Sequence, residues 1–200
     1  MLPASVSPMG VSPFWPVAIG FFGLGTGYFV WGGQALFGFP KQGPEVDRTM
    51  GMWGFWMPGF CQFITGVYLI VGLTWFGVFK NAPPLYMAGL AFTVYGIHWF
   101  AMAHRRYIGS SAAPDGWMAL AFLFVSVLGA YVFGKAHDVP VMVIFIGLSL
   151  IYLTEIPVRL ASWSSGTRLV ALFQCLTGIW LMYCTWAITV NLALGYKLWI

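Results

Sequence analysis

No charged residue occurs in the first 40 positions, and none occurs from Thr49 to Phe79, Asn81 to Ala103 or Leu169 to Tyr196. A water-soluble fold cannot bury so much uncharged, aromatic-rich chain. Charged residues make up 7% of the sequence and hydrophobic ones 60%, against roughly 25% charged in an ordinary soluble domain. Lipid is therefore the expected solvent. A transmembrane helix needs about 20 apolar residues, so the length admits roughly six spans with short connections. Barrel strands would alternate apolar and polar residues over about ten positions. The runs here are continuous, which excludes a barrel. The expected fold is all-α, one polytopic domain over residues 1–200 with about six transmembrane helices, set in the inner or plasma membrane.

The spans are expected near Pro13–Phe37, Met52–Phe76, Leu85–His104, Trp117–Gly134, Val139–Thr154 and Leu169–Leu194. The N-terminal stretch has no basic region of the secretory kind, so it reads as a span kept in the mature chain. Pro and Gly in Lys41–Arg48 predict a loop, and Glu155, Pro157 and Arg159 predict the end of the fifth span. Six basic residues fall in the first, third and fifth connections (Lys41, Arg48, Arg105, Arg106, Arg159, Arg168). Three fall on the opposite side (Lys80, Lys135, Lys197). That bias predicts cytoplasmic placement of the first set, with both termini outside.

Composition narrows the partners. The net charge of +4 is scattered through loops, so it suits anionic lipid headgroups and excludes a nucleic-acid surface. Cys61, Cys175 and Cys184 lie in apolar segments without CxxC spacing, which argues for packing and against a disulfide or zinc framework. No Walker loop, GxSxG, HExxH or dinucleotide fingerprint is present, so no catalytic residue, metal or cofactor is expected. The chain reads as a non-enzyme.

Polar side chains at membrane depth are costly, and each invites a functional reading. Gln62 falls mid-span, within one 60° sector of Gly59 and Gly66 at about 100° per residue. It is either an interhelical hydrogen bond or a neutral lining group. His98 lies inside the third span as a structural or pH-responsive group, and His104, six residues on, points elsewhere, so the two do not form a haem or metal pair. Glu155 and Arg159 at i,i+4 are an interfacial ion pair, a vestibule carboxylate that attracts cations, or a proton relay. Asn191 is a helix contact or a pathway group. Gly23 and Gly27 form a GxxxG step, a helix-packing signal.

Three stretches carry a resemblance: Gly54-x4-Gly59-x2-Gln62-x3-Gly66, Ala91-Phe92-Thr93-Val94-Tyr95-Gly96-Ile97-His98-Trp99, and Gly178-x4-Tyr183-x7-Asn191-x3-Gly195. They resemble the corresponding helices of the acetate uptake transporter family, six-helix acetate/succinate–proton symporters. The resemblance implies a homohexamer with a pathway in each protomer and an apolar constriction at Phe21, Tyr95 and Leu148. The family's Asn-Pro-x-Pro-Leu-Gly entry is replaced here by Ser12-Pro13-Phe14-Trp15-Pro16. Gly116-Trp117 with Leu123–Ser126 resembles instead the urea/amide channel family, also six-helical and hexameric.

The pathway is thus expected at Phe21, Gln62, Phe92 and Thr93, and at Tyr95, His98, Leu148 and Asn191. The leading expectation is a conduit for a small polar metabolite, a short monocarboxylate moved with its proton. A neutral lining suits it, because a carboxylic acid that keeps its proton avoids the cost of a buried anion. A urea or short-amide channel and a non-transporting accessory subunit are the rivals. Self-assembly into a ring favours transport; dependence on foreign subunits favours the accessory role.

Overall fold

The computed structural model describes residues 16–200, in which no strand occurs; Pro13 to Trp15 of the expected first span lie outside the described residues. The helices are α1 (Val17–Phe37), α2 (Pro44–Gly54), α3 (Cys61–Thr74), α4 (Leu85–Ile108), α5 (Asp115–Lys135), α6 (Val139–Leu160) and α7 (Gly166–Leu194). A π-helical stretch, Phe55–Phe60, joins α2 to α3. Five helical stretches are long and apolar enough to cross a membrane: Pro44–Thr74 and the four helices from α4 to α7. The sixth crossing is α1, 21 residues long with no charge. Its glycines lower its mean hydropathy.

The crossings alternate in direction. The α1–α2, α4–α5 and α6–α7 connections share the end that carries most of the arginines, here called the basic end. The start of α1, the α3–α4 and α5–α6 connections and residues 195–200 share the other, the tail end. Helix α1 packs along α7, α3 along α4 and α5 along α6, while α2 lies against α4.

Helix α4 runs on to Ile108 and α7 begins at Gly166, past the expected bounds of His104 and Leu169; two further boundaries differ at proline. The segment expected as a loop to Arg48 is helical from Pro44, because proline at the first helical position gives up no hydrogen bond and Glu45 and Asp47 meet the positive helix end. Helix α6 runs through Pro157 to Leu160 instead of closing at Thr154. Membrane helices commonly tolerate such an interior proline.

Close backbone approach holds the centre. Pro58 sits in the π stretch, where the wider turn absorbs its missing N–H. Its ring rests on α1, and a Cβ added at Gly27 would stand 2.7 Å from Pro58 Cγ. Gly96 of α4 meets α3 just as closely: a Cβ there would lie 2.6 Å from the Phe63 nitrogen and 2.8 Å from the Gly59 carbonyl oxygen. The neighbours of Gly96 are backbone and cannot rotate away.

At the basic end, Arg106 donates from Nε (2.9 Å) and Nη2 (2.8 Å) to Asp47 Oδ1. It also donates to Gln34 Oε1 and lies over the Trp31 ring, so one guanidinium ties α1, α2 and α4 together. At the tail end residues 195–200 fold back on α7. Asn191 Nδ2 donates to the Leu198 carbonyl at 2.9 Å and its Oδ1 accepts from the Leu198 N–H at 2.8 Å.

Gly96→Leu is expected to destabilise the bundle by about 1–3 kcal/mol or more, the usual cost of overpacking. Gly33→Leu, where nothing lies within 4 Å of an added Cβ, should be close to neutral. Thermal unfolding of the two variants in mild detergent checks the contrast.

Candidate functional site

Between α1, α3, α4, α6 and α7 lies a cavity of about 690 Å³ that opens at the tail end. Its mouth is lined by Val78, Asn81, Asp138, Asn191 and Ile200, and its walls by Leu24, Leu85, Ala88 and Ile144. The deep end reaches Phe21, Gln62, Phe92, Tyr95 and Leu148, all of them buried. The cavity is largely apolar and its charged group sits at the rim. Asp138 caps α6, accepting from the Val141 N–H at 3.1 Å. Burial pushes its carboxyl above the usual range, and that hydrogen bond partly offsets the rise.

Helical spacing explains the floor. Phe92 and Tyr95 fall on neighbouring positions of one α4 face. The Phe92 ring packs on Phe21 of α1 at 5.5 Å between centroids. Tyr95 leans the other way, sharing a 2.7 Å hydrogen bond with the Ser126 hydroxyl of α5 and stacking at 6.0 Å on Tyr152 of α6. Leu148, one turn before Tyr152, closes the third side at 2% exposure.

Gln62 is the polar group of the deep end. Its Nε2 donates to the Pro58 carbonyl at 2.9 Å, which fixes the amide's orientation because a carbonyl can only accept. Its Oε1 is then left buried without a partner. A buried acceptor without a donor costs roughly 1–3 kcal/mol.

Six of the eight expected pathway residues line this cavity: Phe21, Gln62, Phe92, Tyr95, Leu148 and Asn191. Asn191 does so at the mouth, with its amide committed to the tail. Thr93 and His98 do not line it. Thr93 turns toward Gly66 of α3 and its hydroxyl donates to the Gly89 carbonyl at 2.8 Å. His98 lies beneath the floor, its ring 4.2 Å from Phe122 between centroids and its Nδ1 2.6 Å from Met118 Sδ. Sequence reasoning missed Ser126, Phe122, Tyr152 and Asp138. The spacing Leu148, Tyr152, Glu155 was the available signal for Tyr152, since those positions share a helix face.

Beneath the floor the path is filled. His98, Phe122 and Tyr152 form a buried aromatic layer, with Tyr152 5.8 Å from His98 and 5.7 Å from Phe122. Tyr28 and Trp99 pack beside it at 5.9 Å. Below that layer, at the basic end, stand two ion pairs: Arg105–Asp115 at 2.9 Å and Arg159–Glu155 at 3.2 Å. Among the described residues no cluster of His, Cys, Asp or Glu could hold a metal ion.

The membrane bundle thus holds a half-length cavity that buried aromatic side chains close off from the basic end. The fold matches that of a solved structure described as the bacterial acetate channel SatP, with a TM-score of 0.69 over 92% of this chain and 97% of that one. Identity is 15%, so the likeness is one of fold. No protein-family profile and no curated protein sequence matches the chain.

In a background without Cys61, Cys175 and Cys184, cysteines at Asn81 and Leu85 should react with a water-soluble thiol reagent added from the tail side. A cysteine at His98 should react at least about tenfold more slowly, since it lies behind the packed layer. Equal rates would mean that the floor is not closed.

Proposed function

We propose that this chain is a membrane conduit for a small monocarboxylic acid of the acetate kind, moved together with its proton. The observation that carries the reading is the unpartnered Gln62 Oε1 at the deep end of an apolar cavity. A carboxylate ion has only acceptors to offer and would face this oxygen with like polarity. A protonated acid presents an O–H and escapes the desolvation cost of an anion. The fold shared with an acetate channel agrees with the solute class.

Phe21, Tyr95 and Leu148 act as the constriction, passing a solute only when their side chains part. The arginine bias supports an inward-facing basic end, so the cavity mouth faces outside and both termini with it. The protein would sit in the inner or plasma membrane. Exposed apolar side chains such as Phe22, Phe124 and Trp186 supply lipid or subunit contacts, and assembly into a homohexamer is part of the proposal.

A urea or short-amide channel is the second reading, because an amide N–H would also satisfy Gln62 Oε1. Liposomes holding the purified protein separate the two when tracer flux and internal pH are followed together. Acetate entry should acidify the interior and steepen as external pH falls; urea entry should leave internal pH unchanged. Urea flux without acid-linked acetate flux would overturn the proposal in favour of the amide channel.

Gln62→Leu keeps the volume and removes the acceptor. Acetate-linked acidification should fall about tenfold, the equivalent of one hydrogen bond of about 1.4 kcal/mol. Tyr95→Ala should admit larger acids such as butyrate with assembly unchanged; a variant as selective as the wild type would reduce Tyr95 to packing.

A further inference from the structure

The charged groups at the basic end remain unexplained by packing alone. Leu148, Tyr152, Glu155 and Arg159 recur at three- or four-residue intervals and form one stripe on α6, leading from the cavity floor to the basic end. Opposite them α5 carries Ser126, Phe122 and Asp115 on one stripe, and α4 carries Tyr95, His98 and Arg105. The three stripes meet in layers: Tyr95 with Ser126, then His98 with Phe122 and Tyr152, then the two ion pairs. The Glu155–Arg159 pair therefore lies in line with the cavity, on the far side of the aromatic layer.

As a stability device the pair is poor. Glu155 is 6% exposed, and the cost of burying a carboxylate exceeds what a single i,i+4 partner returns. Arg159 is about one-third exposed and reaches toward water at the basic end. Helix α5 crosses close by, since a Cβ added at Gly116 would stand 2.8 Å from Arg159 Cβ. The groups whose charge bears on Glu155 are Arg159 on its own helix, Asp115 on α5 and Arg105 on α4, with Tyr28 of α1 and Tyr152 of α6 beside it. Arg105 pairs with Asp115 through Nη2 at 2.9 Å and leaves its Nε without a partner. Arg159 is the cation that Glu155 itself holds, at 3.2 Å, and so the one on which a second carboxylate would replace Glu155.

We propose that the Glu155–Arg159 pair is a second solute station, where an arriving carboxylic acid exchanges places with Glu155. The O–H bond of the acid breaks as an O–H bond forms on a Glu155 carboxylate oxygen, and the bonding electrons stay on the solute oxygen. The solute carboxylate takes the guanidinium of Arg159, and Glu155, now neutral, swings free. Arg159 keeps one carboxylate partner throughout, so no unpaired charge is stranded in the interior. Two alkyl carboxylic acids have closely matched acidities, so the transfer is nearly thermoneutral. Glu155 then loses its proton to water at the basic end and displaces the solute. Urea has no such proton and cannot make the exchange.

The inference rests on the carboxylic-acid reading, and the test separates the two. Proteoliposomes would be given labelled acetate with a valinomycin-set potassium potential of about 100 mV, interior positive. Wild-type protein should accumulate acetate according to the pH gradient alone, because acid and proton move together. Glu155→Gln leaves Arg159 without its carboxylate and offers no proton acceptor, so the anion should pass alone. Its accumulation should then respond to the potential by up to roughly fiftyfold, the effect of one charge crossing that voltage. Arg159→Gln should remain electroneutral and lose at least about tenfold in acetate flux, a readout that holds if Glu155→Gln fails to fold. A Glu155→Gln protein as electroneutral as the wild type, or an Arg159→Gln protein with undiminished flux, would overturn the exchange and leave the carboxylic-acid reading intact. Wild-type protein that moves no acetate would overturn that reading itself.

Discussion

A side chain that needs a hydrogen bond finds none in hydrocarbon, so every polar group carried into a membrane bundle must be answered from within. In this chain the hydroxyls are answered locally. Thr26, Thr65, Thr93, Ser126, Ser149, Thr154, Thr185 and Thr189 each donate to the carbonyl four residues earlier in their own helix. Such bonds neutralise a hydroxyl without tying helices together. Against that background the unanswered atoms stand out. Mid-span they are Gln62 Oε1, at the deep end of the cavity, and His98 Nε2, behind its floor. The first belongs to a residue of the cavity lining and the second to a ring set among packed aromatics.

Close helix contact makes the rest possible. Glycine at positions 27 and 96 brings α1 and α4 onto the π stretch and α3, and the π stretch frees the Pro58 carbonyl region to accept from Gln62. The amide orientation that leaves Oε1 without a partner therefore follows from a proline in a widened turn. A regular α-helix through Phe55–Phe60 would place Gln62 on a different bearing relative to α4. Local backbone geometry and the polarity of the cavity are linked through this one residue.

Much of the architecture was legible from charge alone, because hydrocarbon excludes charge and the uncharged runs mark the crossings. The larger boundary errors fell at Pro44 and Pro157, where proline was read as a breaker although one position begins a helix and the other is tolerated within it. Phe21, Tyr95 and Leu148 were legible through motif spacing, and Gln62 through its cost at membrane depth. His98 and Thr93 lie off the cavity lining, since spacing defines a face of a helix but not the neighbour it meets. Ser126, Phe122 and Tyr152 passed unnoticed because small and aromatic residues at membrane depth look alike whether they face lipid or a path.

On the proposed reading the cavity accepts a neutral acid through Gln62 and stops it on Tyr95. That reading is tested most directly by an experimental structure of the protein in a lipid nanodisc at mildly acidic pH with acetate present. The account predicts solute density above Tyr95 with an oxygen within hydrogen-bond distance of Gln62 Oε1 and no continuous water column through His98, Phe122 and Tyr152. A cavity filled by an acyl chain, or acetate seated away from Gln62 with that amide turned to another partner, would contradict it.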